Sequence, residues 1–279
     1  AVVFRGIGDG EYEGDRIARE MRPLRPPAAR PVVLKEVPGP LPEPPAGSSL
    51  LAEVRKRGRV RVGYVLGQAP FSFFNARGEL VGLDVEMATT LADDLGVELE
   101  LAPVPREGLA TALEAGRYDL VMGGVFMTTR RVGQLHFSPP YLDETLAFVV
   151  PDHRRAEFSS AEWIRAQQGL RVAAPDLPNF LVVLKREFPN LEVVPVPMPT
   201  VEGYLKGQGQ PVDALCLTAE RGSFLTLLYP AFSAAVPNPL EISLPLAYPV
   251  ARHDLEMTRY LGTWIDLRRK DGTIKAFYE

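Results

Sequence analysis

Apolar positions along the chain recur at two spacings, and the two alternate from segment to segment. From 59 to 65 every second residue points one way, with Val60, Val62 and Tyr64 on one face, which predicts a strand. A turn at 75–78 then leads into a helix. Its Val85, Met87, Ala88, Leu91 and Leu95 form a helical stripe, and Gly96 ends it. A strand at 97–104, a helix at 106–115 closed by Gly116, and a short buried strand at 118–122 follow. This order predicts an α/β unit with a mostly parallel sheet. Ligands of such sheets sit beyond the carboxyl ends of the strands, here 68–73, 105–107 and 123–127.

The pattern then starts again. An apolar strand at 145–151 precedes strands at 170–174, 191–197 and 213–217, which alternate with helices at 179–188, 201–206 and 219–228. A short strand is expected at 234–236. LPLAYPVAR at 244–252 reads as one further strand. The helix at 255–268 has Met257, Tyr260, Leu261, Trp264 and Ile265 on one face, and a last helix covers 274–278. Returning this closing segment to the first unit gives lobe 1 at 49–147 plus 246–279 and lobe 2 at 148–245. The chain then crosses twice, near Phe148 and Leu246, which makes a hinge with a cleft between the lobes. Residues 1–48 differ, since they hold nine of the 27 prolines. They are expected to be extended, either as a tether or as a strap on the globular body.

Composition narrows the function classes. A chain 46% hydrophobic and 24% charged can build a sizeable core. A net charge of -4 without a basic stripe argues against nucleic acid. No apolar run approaches a membrane span, and no signal peptide is present, so no direct membrane insertion is expected of this piece. Cys216, the single cysteine, is expected in the core and allows no internal disulfide. His136, His153 and His253 lack metal-ligand spacing, and no nucleophile elbow or phosphate loop occurs, so no metal or cofactor is expected. Asp84 stands where a helix N-cap would, with Glu86 in the first turn. Asp93 and Asp94 read as a solvated helix face.

The stretch GGVFMTTRRVGQLHFSPPY, 123–141, carries the candidate chemistry. Its glycines allow close approach of backbone. Thr128 or Thr129 can cap a short helix with Arg130 and Arg131 in its first turn. Arginine is disfavoured there by the helix dipole, so the pair are candidates for holding an anion; the alternative is two solvated surface charges.

Several stretches, in this order, carry a resemblance: Arg61-Val-Gly-Tyr, Ala69-Pro-Phe-Ser-Phe, Gly78-Glu-Leu-Val-Gly-Leu-Asp-Val-Glu-Met-Ala, Tyr118-Asp-Leu-Val-Met-Gly-Gly, Thr128-Thr-Arg-Arg, Phe137-Ser-Pro-Pro-Tyr, Val212-Asp-Ala-Leu and Asp271-Gly-Thr-Ile. From about 50 to 278 the chain resembles extracytoplasmic solute-binding proteins of the polar amino-acid uptake type, bacterial solute-binding protein family 3. The resemblance implies two lobes that close on a small solute. It implies that Arg131 grips a carboxylate, helped by backbone at Gly124 and Phe126, with Phe71, Tyr64 and Gln68 around the ligand. Where the family usually has an aspartate for the ligand's ammonium, this chain has Thr218, so Glu220 or Asp176 would have to serve. A carboxylate ligand, amino acid or organic acid, is therefore expected, with a periplasmic location and a membrane transporter or receptor as partner. The stretch from Thr218 to Pro230 also resembles binding modules attached to cation–dicarboxylate symporters, which the leader would suit as a tether. Two other functions share this fold: a dehydratase acting on cyclic precursors, with Glu220 or Asp176 as acid, and a sensory domain.

Overall fold

The computed structural model describes residues 14–24, 30–105, 108–240, 242–251 and 254–278. His253 and positions 106–107 lie outside them. Two sheets organise the chain. In the first, Val32–Val33, Glu98–Pro103, Arg59–Tyr64 and Leu120–Val121 lie side by side in that order, all parallel. In the second the order is Glu192–Val196, Arg171–Pro175, Ala214–Thr218, Leu146–Pro151 and Phe232–Ala235. Its first three strands are parallel and its last two run against their neighbours. Leu146–Pro151 enters straight from the hinge without a helical crossover, so nothing forces it parallel.

Local chemistry sets the helix ends. Ser49 accepts a hydrogen bond from the Ala52 N–H to start Leu50–Arg57. Gly96, in the left-handed region, closes Leu83–Leu95. Lobe 1 packs Met87, Leu91, Leu101, Leu261 and Ile265 into one core, and lobe 2 packs Phe148, Phe158, Leu184 and Phe188 into another, with Cys216 inside it.

Two expectations need correction. The apolar run at 244–252 is not one strand. Leu244–Leu246 pairs with Leu142–Glu144 and Pro249–Val250 pairs with His136–Phe137, with Ala247 and Tyr248 between. Asp94 is exposed, as expected, and its carboxylate also accepts the Trp264 indole N–H at 2.6 Å and faces Arg268, tying the last long helix to Leu83–Leu95. Asp84 is not the N-cap. Gly82 holds that position and Asp84 lies buried within the first turn.

The two antiparallel crossings, Leu142–Glu144 and Leu244–Leu246, join the sheets. From Arg30 onward the leader lies on lobe 1. Beyond the edge strand Val32–Val33, the Leu34 carbonyl accepts from the Tyr64 hydroxyl, the Pro38 carbonyl accepts from Arg117, and the Leu41 N–H donates to the Gly116 carbonyl. The short helix Gly14–Glu20 packs on Ala219–Leu228 of lobe 2, while its exit is bonded to Ala76 and Asn75 of lobe 1.

Candidate functional site

The loop after Leu120–Val121 turns on Gly124, whose φ of 62° suits glycine. A Cβ there would stand 2.8 Å from the Phe71 ring and 3.1 Å from Gln68. The Gly124 N–H donates to Asp84 Oδ2 at 2.6 Å. Phe126 then bridges Leu246 of the second crossing. The flanking bonds, Met127 N–H to Pro245 O and Ala247 N–H to Val125 O, turn the N–H and C=O of Phe126 away from that strand. On this outer side the Phe126 carbonyl accepts from Arg131 Nη1 at 2.9 Å. Thr128 is the cap, its hydroxyl accepting from the Arg131 N–H at 3.3 Å.

Arg131 therefore stands at the mouth of an interlobe cavity of about 510 Å³. Leu109, Phe126, Thr128, Arg130 and Arg131 line it from lobe 1, and Asp176, Pro178 and Asn179 from lobe 2. Burial, and then the charge of Arg130, push the Arg131 pKa down. Among the described residues neither Arg131 nor Arg130 has a carboxylate within ion-pair distance, and Asp176 has no cation. A half-buried guanidinium without a counter-charge, beside an outward N–H, has the chemistry to hold an anion.

The other residues singled out in the sequence lie elsewhere. Phe71, buried, and Glu220 line a second interlobe cavity of about 580 Å³. Tyr64 is in the lobe 1 core. Gln68, 5% exposed, packs against Gly124. Thr218 caps Ala219–Leu228, accepting from the Arg221 N–H.

Two groups were missed. Asp84, besides Gly124, accepts from the Tyr141 hydroxyl at 2.8 Å and the Tyr248 hydroxyl at 2.9 Å. These stacked tyrosines belong to the two passages between the lobes, so one carboxyl ties the Gly124 loop to both. Burial lifts its pKa to about 6 against the pull of its three donors. A raised carboxyl pKa contributes stability that is full below about pH 4 and is lost as pH rises through about 6. The Tm of the parent minus that of Asp84→Asn should therefore fall between those values, and a flat difference would contradict the assignment.

The second group sits at the lobe junction. Glu144, 1% exposed on the first crossing, has its pKa pushed well above the ordinary range by burial and then by the Glu220 carboxyl. Tyr278 of lobe 1 donates to Glu220 at 3.0 Å, and Arg221 of lobe 2 donates to the Gly67 carbonyl at 3.1 Å. Glu144 gave no local signal, because its partners come from the second lobe.

The profile of bacterial extracellular solute-binding proteins, family 3, matches residues 60–279. The chain belongs to that family. Its lobes, crossings and cleft are those of a two-lobe binding protein. An ancestral cationic amino acid solute-binding protein superposes with a TM-score of 0.70 at 26% identity, covering 82% of this chain and 98% of that one. An arginine-bound transporter substrate-binding protein of Streptococcus pneumoniae has a TM-score of 0.68 at 22% identity, covering 81% and 95%, and shares the fold. The L-cystine-binding protein of Escherichia coli is 32% identical over 123 residues, 44% of this chain and 46% of that protein, so the match spans about half of this relative. The cyclohexadienyl dehydratase of Pseudomonas aeruginosa is 25% identical over 237 residues, 84% of this chain and 86% of the enzyme. The family thus includes extracytoplasmic binding proteins, and the similar proteins include enzymes. No helix among the described residues is long and apolar enough to cross a membrane.

Proposed function

We propose that this solute-binding protein takes up a small carboxylate-bearing solute, amino acid or organic acid, in the cavity between its lobes, and hands it to a membrane transporter or receptor. The observation that carries the proposal is the Arg131 guanidinium, half-buried, bonded to the Phe126 carbonyl and without a counter-carboxylate among the described residues. Its carboxylate partner is the solute, gripped by the planar fork and by the N–H of Phe126. Asp176 lines the same cavity and Glu220 does not, so Asp176 is the ammonium partner when the solute has one. Two arginines against one aspartate among the described lining residues favour neutral or acidic solutes over basic ones. Of the two acids that the dehydratase reading allows, Glu220 is engaged by Tyr278 and faces Glu144 rather than Arg131, which leaves Asp176 as the acid in the cavity, so the turnover assay below separates binding from catalysis.

A thermal-shift screen over acidic, neutral and basic amino acids and over organic acids tests this. A true ligand at about 100 times its Kd adds roughly 2.7 kcal/mol of stability. Asp176→Asn should lower the affinity for amino acids and leave organic acids unaffected. Stabilisation by basic amino acids alone, or turnover of a cyclohexadienyl acid, would overturn the proposal.

A further inference from the structure

A second cavity, of about 760 Å³, lies outside the cleft, between leader residues 40–49 and lobe 1. One wall belongs to the part of the chain that precedes the family match at residue 60, so the cavity is not made by the family's two lobes alone. Proline rings from Pro40 to Pro45, with Leu113 and Tyr118, give it apolar surfaces. Its charge is one-sided. Among the described lining residues six carboxylates face a single guanidinium, Arg57.

Some of these carboxylates have structural work. Asp254 accepts from the Leu50 and Met257 N–H groups, and Glu53 accepts from the Ser48 hydroxyl. Three have capacity left. Asp119 is fully buried, and its Oδ2 takes both Arg57 and the Arg61 N–H, but its Oδ1 has no partner. Glu43 and Glu256, both exposed, have no cation within ion-pair distance among the described residues. A buried carboxylate oxygen without a donor is costly and points to a missing donor.

The spacing of the acids selects the kind of cation. Among the described residues no three acidic or histidine groups converge as a metal ion requires. The charges are spread round an apolar wall instead, which suits ammonium groups separated by methylenes. We propose that this cavity binds an aliphatic polyamine, its methylenes against the prolines and its ammonium groups towards Asp119, Glu43 and Glu256.

Calorimetry of the full chain with spermidine at low salt tests this, with magnesium chloride as the control. Saturable one-to-one binding is expected, with magnesium a poor competitor. The double variant Glu43→Gln/Glu256→Gln should weaken it by about two- to thirty-fold, from about 0.2–1 kcal/mol per exposed pair. Its carboxylates are exposed, so its Tm should stay close to the parent's. Arg131→Ala should bind spermidine as the parent does, which separates this site from the cleft. Absence of saturable binding, unchanged affinity in the double variant, equal competition by magnesium, or loss in Arg131→Ala would each overturn the proposal.

Discussion

Arg131→Ala is expected to weaken solute binding by at least about a hundred-fold while leaving the fold intact. Leaving a buried charge unpaired costs about 3–5 kcal/mol. Here that charge would be the solute's carboxylate, stranded in the cavity between Phe126 and Asp176. Within the protein Arg131 gives up one hydrogen bond, to the Phe126 carbonyl, while the Thr128 cap is made by its backbone N–H and survives. The Tm without solute should therefore move little. Arg131→Lys keeps the charge and loses the fork, so it should fall between the two. Calorimetric titration with the solute found in the screen, beside a melting curve for each variant, decides the matter. An Arg131→Ala protein that binds as tightly as the parent would remove Arg131 from the site.

Gly82→Ala is expected to be the most damaging single methyl group near the cleft. Gly82 holds φ at 128°, and an added Cβ would lie 2.4 Å from the Phe71 carbonyl oxygen and 2.6 Å from that of Pro70. Those contacts are backbone, which cannot rotate away. Left-handed strain alone costs on the order of 1–3 kcal/mol, and the displaced loop adds to it. A loss of about 3 kcal/mol or more is expected in a denaturant titration. Moving the 70–72 loop would also dislodge Phe71 from Gly124 and loosen the start of the helix that holds Asp84. Solute affinity should fall together with stability. A Gly82→Ala protein within about 0.5 kcal/mol of the parent would show that the loop has room to yield.

The parts of this molecule that are local in sequence were legible before the fold was known. Alternation from Arg59 and the helical stripe from Val85 to Leu95 follow from burial on one face. Thr128 and Arg131 lie three residues apart, so their capping contact is written in the chain. The parts that were not legible depend on distance along the chain. Asp84 meets Gly124, Tyr141 and Tyr248, which lie 40, 57 and 164 positions away, and no periodicity reports such a meeting. Asp94 is exposed as its position on the helix suggests, but its bond to Trp264, 170 positions off, could not be read there. The run at 244–252 looked like one strand because apolar character does not say which neighbour each half will pair with. Asp176 and Glu220 were equal candidates as charges. Their separation into different cavities comes from the packing of the lobes.

The two-residue strand Val32–Val33 has a practical bearing on how the protein is handled. It occupies the outer side of Glu98–Pro103, with Val32 opposite Glu100 and Val33 opposite Leu101. Shortening the chain to the stretch that matches its relatives would strip this cover and leave the outer peptide groups beside Glu100 and Leu101 open. Bare margins of that kind recruit strands from other molecules. Expression pieces meant to stay monomeric in a test tube should therefore keep the proline-rich arm.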